Sequence, residues 1–198
     1  MDLRNCGWKS NTILQTSTEQ TVSDYYMLLL KSLALLHDGH TRINLSEEVI
    51  LQLGHPPVKI RPIEGKAIIV DIKDDDELQK EHIQIGSEIV KIDGYSVPDV
   101  LAKDVYPYIC ASTQQALEDE GYNFLLIGNR GTKVSIDIRD VQGQIRTVTL
   151  TRNKSLGSHV MWTFGFRQPL EHKIIDDDIA YFALNTFGES EIRQFDCA

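Results

Sequence analysis

Residues 85–97 read IGSEIVKIDGYSV. Gly86 marks a turn, Glu88 to Ile92 alternates as a short strand, and Asp93-Gly94 is a strong hairpin signal. Ser96 is placed to cap a helix, with Pro98 in its first turn, where the missing N–H costs nothing. A strand, a tight turn and a capped helix within so short a stretch predict a small β-rich unit with short helices.

The same grammar extends on both sides. VKIRPI (58–63) alternates, Glu64-Gly65 turns, and KAIIVDI (66–72) is a second β-rich run. The acidic 73–82 stretch, KDDDELQKEH, is a solvated loop or a short helix. STQQALEDEGYNFLLIG (112–128) predicts a helix capped by Ser112 or Thr113 and interrupted at Gly121. KVSIDIRDVQGQIRTVTLTR (133–152) alternates strictly on both sides of a Gln142-Gly143 turn and predicts a hairpin. Pro56-Pro57 marks a boundary before this unit.

Upstream, residues 1–20 are a polar lead-in, and TVSDYYMLLLKSLALLHDGH (21–40) predicts a helix capped by Thr21 or Ser23. Its apolar residues at 25–30 and 33–36 cover nearly the whole circumference, which predicts burial on all sides. Gly39 is expected in the left-handed position that ends it. Downstream, Trp162, Phe164 and Phe166 alternate as a half-buried strand would, and IAYFALNTF (179–187) predicts a short apolar strand.

Composition bounds the function. The chain has 198 residues, 41% hydrophobic and 25% charged, with a formal charge of −9, which argues against nucleic acid as a partner. The three cysteines, Cys6, Cys110 and Cys197, lie far apart without metal-type pairing, so a disulfide framework is not expected. Cys110 reads as a buried structural thiol. No apolar run reaches the roughly 18–20 residues that cross a bilayer. The Asp runs at 74–76 and 176–178 lack the alternating ligands of a calcium loop and read as solvated.

Three pieces now stand in order: a helix ending in LLHDGHTRI (35–43), a β-rich unit carrying GSEIVKIDG (86–94), and the strand IAYFALNTF followed by EIRQFDCA (191–198). In this order the sequence resembles the C-terminal processing, or tail-specific, serine peptidase family, which includes tricorn-core relatives. GSEIVKIDG is its most PDZ-like piece. The resemblance implies an α+β fold: an N-terminal helical segment over 1–56, a PDZ-like β-domain with short helices over 57–153, and the first strand of an α/β peptidase core over 154–198. The family's nucleophilic serine segment has no counterpart here, so the chain is expected to be the front portion of a peptidase truncated before that serine.

By the same resemblance, His40 is the candidate general base, since an imidazole with an ordinary pKa of about 6.5 can take a serine proton near neutrality. The tricorn pattern has a serine before this histidine, where Gly39 stands here. Other members use a lysine far downstream, in which case His40 is not the base. From the residues alone, His40 is also readable as a helix-terminal histidine bonding carbonyls of the last turn. Metal is the weakest reading of His37 and His40, with His55 only a remote third ligand. Asp38, Gly39 and Thr41 are read as positioning the turn.

A PDZ domain adds an extended peptide tail beside a strand edge and holds its terminal carboxylate with backbone N–H groups. Gly65, Lys66, Ala67, Ile68 and Ile69 are the expected place for this strand. The partners implied are polypeptide substrates or C-terminal tails; no cofactor or metal is called for. The strand at 179–187 and the apolar helix present an open core edge that invites self-association. The resemblance places the protein in the periplasm, cell envelope or extracellular space. The alternative is a non-catalytic PDZ-type binding or scaffold protein.

Overall fold

A computed structural model describes residues 21–157, 170–176 and 179–184. The expectations for the lead-in 1–20, for Trp162, Phe164 and Phe166, and for 191–198 lie outside the described residues. The chain divides after His159 into two compact units. Helices and antiparallel sheets both build it, so the fold is α+β.

Helix α1, Val22–Ala34, starts where local chemistry puts it: Thr21 and Asp24 form a reciprocal capping box. Within α1 only Leu28 and Ala34 are buried, while Tyr25 is exposed, so burial on all sides is not realised. Most of its other apolar side chains, Leu29, Leu30 and Leu33 among them, are half-buried. The short α2, Glu47–Gln52, capped by Ser46, leads into β1, Leu53–His55. Strand β1 pairs with both β6, Gly128–Asn129, and β9, Lys154–Ser155. Gly54 sits in the middle of this small sheet, and a Cβ there would lie 2.8 Å from the carbonyl oxygens of both Arg152 and Lys154. Pro56 and Pro57, fully buried, join it to the main sheet.

The main sheet runs β2-β3-β4-β7-β8, with β5 paired to β4. The strands are β2 Val58–Ile63, β3 Lys66–Ile72, β4 Glu88–Ile92, β5 Tyr95–Ser96, β7 Lys133–Arg139 and β8 Ile145–Thr151. The strict alternation of β7 is realised as burial of Val134, Ile136 and Ile138 on one face. Each such side chain stabilises the fold by roughly 1.5–3 kcal/mol. The Asp93-Gly94 turn closes β4 onto β5 with φ of 48° and 85°, the left-handed pair a two-residue hairpin needs.

Three helical pieces cover this sheet. Helix α3, Asp76–Lys80, is capped by Asp75 and buries Leu78, so the acidic stretch is a short helix with one foot in the core. Helix α4, Val97–Val100, is capped by Ser96 with Pro98 in its first turn, and it continues as a π turn over Leu101–Val105. Helix α5, Gln114–Phe124, is capped by Thr113. Gly121 does not interrupt α5; it makes room, because a Cβ there would lie 2.5 Å from the Tyr106 ring. The core gathers Ile60, Ile69, Leu78, Ile89, Leu101, Tyr122, Ile136 and Leu150.

The second unit holds an antiparallel hairpin, β10 Leu170–Asp176 with β11 Ile179–Leu184. Of the strand expected at 179–187, residues 179–184 are described and form β11, and 185–187 lie outside the described residues. The cross-strand register aligns Leu170, His172 and Ile174 with Leu184, Phe182 and Ala180 on one face.

Candidate functional site

Helix α1 ends at Ala34, and the backbone reverses at His37, whose φ is 52°. Gly39 is not the left-handed residue; the helix stops earlier than its apolar pattern suggests, so the reversal falls at His37. Asp38 then organises the three residues after it. Its Oδ1 accepts from the His40 backbone N–H at 3.1 Å, and its Oδ2 accepts from the Thr41 hydroxyl at 2.6 Å. These bonds, the Thr41 hydroxyl foremost and the His40 N–H next, hold the Asp38 carboxyl below its ordinary range. The imidazole of His40 stands clear of the protein, its side chain 99% exposed, with Nδ1 3.6 Å from Asp38 Oδ1.

The turn is braced against the approach to α5. The Gly39 N–H donates to Ser112 Oγ at 2.8 Å. Arg42 Nε donates to the Gly39 carbonyl at 3.0 Å, and Arg42 Nη2 reaches Glu120 Oε1 on α5 at 3.2 Å. Burial pushes the Glu120 carboxyl up, Arg42 pulls it down, and the adjacent Asp119 pushes it up again. Arg42, Ser112 and Glu120 carry no sequence signal for this role, because Ser112 and Glu120 lie 73 and 78 residues from their partners. A cap signal near 112 is visible in the sequence; its use by another segment is not.

His37, Asp38, Gly39, His40 and Thr41 thus form one turn. His55 is elsewhere in the chemistry: it is buried, and its Nδ1–H donates to the Pro56 carbonyl at 2.6 Å. Burial, with Lys73 and Lys154 nearby, holds its imidazole pKa down. Among the described residues, no group of three His, Cys, Asp or Glu is placed to hold a metal ion. Cys110 is a free thiol, half-buried, and burial raises its pKa, which disfavours the thiolate a nucleophile needs.

Gly65 to Ile69 require a correction. Gly65 lies in the turn, and β3, which carries the other four, is paired on one side with β2 and on the other with β4, with Ala67 and Ile69 buried in the core. A strand with both edges occupied cannot accept a third. The edge strand is its hairpin partner β2. Ile69 donates to Ser87 and accepts from Gly86, so its polar groups point toward β4. Its partner Ile60 therefore turns N–H and C=O outward from β3. Helix α5 lies along this edge. Arg61 of β2 bonds Asp119 of α5, and the Tyr122 hydroxyl donates to the Gly65 carbonyl at 3.1 Å. Ile60 is only 3% exposed, so the helix covers the edge. The β-rich run at 66–72 and the turn before it read correctly as a strand after β2, but that β4 occupies its other side was not legible in the sequence.

The fold defines an α+β protein with a helix-covered antiparallel sheet and an exposed histidine turn. No family model and no curated protein matches the chain. Among solved structures, it is similar to mature CPAF complexed with lactacystin, with a TM-score of 0.62 and 20% identity over 76% of this chain and 29% of that one. A photosystem II D1 C-terminal processing protease matches with a TM-score of 0.36 and 16% identity, over 82% of this chain and 38% of that one. The PDZ domain of a carboxy-terminal protease from Vibrio cholerae, in complex with peptide, gives 0.34 and 16%, over 52% of this chain and 97% of that one. The first match shows a shared fold. The other two superpose too loosely to add to it. This chain spans less than a third of the CPAF chain it matches.

Proposed function

We propose that this chain is the front portion of a serine endopeptidase of the C-terminal processing class, with His40 as the general base. In this reading the attacking serine lies outside these 198 residues. One observation supports it above the others: the His40 imidazole is wholly exposed, next to Gly39, whose N–H and carbonyl are both tied down. A histidine serving only to cap carbonyls of its own helix would lie back against that helix. A base that meets a serine from another segment needs a free ring on a fixed support. The established acyl-transfer logic then applies: the ring takes the serine proton during attack and returns it to the leaving amine.

Substrate tails would dock along β2, on the side where α5 now lies, since a PDZ-like unit takes peptides beside an edge strand. The Ile60 N–H and C=O would pair with the peptide, while Pro62, two residues on, offers only its carbonyl. Entry requires Arg61 and Asp119 to part and α5 to swing away.

The test uses the complete protein. His40→Ala is expected to lower kcat by at least ~10²-fold, with an unchanged melting temperature, because the side chain touches solvent and its own turn. Unchanged kcat with normal folding would assign the base elsewhere and end this reading.

A further inference from the structure

The two edges of the main sheet are finished differently. The β2 edge lies under α5 and contains Pro62, both common ways of keeping a strand edge from pairing. Among the described residues, the opposite edge, β8, has neither between Ile145 and Thr149; only its Thr151 end is met by Glu77 of α3. Between Ile145 and Thr149 it carries no proline, glycine or lysine, and its pairing with β7 runs from Lys133 to Arg139 without a register shift.

The direction of its backbone groups follows from the ladder. Asp140 donates to Gln144 at one end of the β7–β8 pair, and Arg152 donates to Thr132 at the other. Alternation between these points leaves Ile145, Thr147, Thr149 and Thr151 with N–H and C=O turned away from β7. Thr151 shows that parity directly, since its N–H is taken by the Glu77 carboxylate of α3. Ile145, Thr147 and Thr149 are exposed, and among the described residues no strand lies beyond them.

We propose that β8 is a dimerisation edge, at which a second copy of this chain adds antiparallel to form one continuous sheet. The strand is complementary to itself. Outward residues must face outward residues, and only a two-fold axis at Thr147 engages all three. Thr147 then faces its own counterpart, and Ile145 faces Thr149 of the second copy, each pair closing two backbone hydrogen bonds. Arg146 falls opposite Val148, so no like charges meet across the junction. Its guanidinium is already tied to Glu81 and to the carbonyls of Glu81 and His82. Residues 145–149 include no acid, and the flanking carboxylates of Asp137 and Glu81 are each engaged within the chain, by the Thr147 hydroxyl and the Arg146 guanidinium. The β-branched Ile145, Thr147, Val148 and Thr149 suit a paired strand.

Sedimentation velocity of the 198-residue chain over a dilution series is expected to show a reversible monomer–dimer equilibrium. Ile145→Lys with Thr149→Lys places lysines opposite each other across the junction and is expected to weaken association at least ~10-fold. Ile145→Lys with Thr149→Glu places opposite charges there and is expected to restore it. Both variants should melt within a few degrees of the parent, since the two side chains are exposed. Amide exchange at Thr147 should slow as concentration rises. A strictly monomeric chain at high micromolar concentration overturns the proposal. So does a dimer indifferent to both β8 pairs but abolished by Phe182→Lys, which would assign association to the β10–β11 hairpin. Thr147 protection that is independent of concentration also overturns it, and would mean that another segment of this chain occupies the edge.

Discussion

Asp38 and Thr41 bond within three residues of each other, and that range is what a sequence displays well: an Asp before a Gly reads as a turn-former and is one. The braces on the same turn come from Ser112 and Glu120, and nothing local marks them. Glu120 gives a direct test. Burial raises its carboxyl and Arg42 opposes the rise, so Arg42→Ala is expected to move the Glu120 titration further up, read by carbon-detected NMR. A carboxyl raised in the folded state holds a proton that the unfolded chain has already released. Stability should therefore fall as pH climbs from the ordinary glutamate range, about 4.3, through the raised value. Glu120→Gln should flatten that slope in urea unfolding measured across the same pH series. At the edge strand, Arg61→Ala removes the tie to Asp119 and should tighten binding of an extended peptide, read by fluorescence anisotropy. Unchanged or weaker binding would show that α5 does not guard the edge.

Among the elements, those specified by their own turns and caps were legible. The Asp93-Gly94 hairpin, the Ser96 and Thr113 caps and the β7–β8 pair all follow from residues within a few positions of one another. Thr113→Ala should cost about 1 kcal/mol by removing the acceptor for the Ala116 N–H. Where the pattern misled, packing decided. The apolar circumference of α1 predicted burial that its surroundings complete only at Leu28 and Ala34, and Gly121 reads as a helix breaker until Tyr106 is seen lying against it. Gly54 had no signal at all, yet it is pressed between two backbone segments in the small sheet. Gly54→Ala should destabilise by roughly 1–3 kcal/mol through forced displacement of backbone that has no slack. Chemical denaturation would measure it, and a neutral result would show that the β1–β9 contact yields.

At the scale of the molecule, β1, β6 and β9 tie residues on both sides of Pro56-Pro57 into one small sheet. A fragment spanning 57–153 lacks β1 and β9, so a fragment spanning 21–157 should melt more cooperatively and at a higher temperature. Equal melting curves would make the small sheet dispensable. The sequence by itself determined most strand positions, the tight turns and the role of Asp38 as a turn-former, because each depends on φ preferences, capping or alternation over a few residues. Only the tertiary structure decided which strands are edges, that β3 has none to offer, that α5 covers β2 while no other described strand pairs with the outer side of β8, and that Arg42 and Ser112 brace the histidine turn. Those outcomes depend on which segments far apart in the chain meet. Loop closure makes such meetings nearly independent of local sequence, so no short stretch can display them.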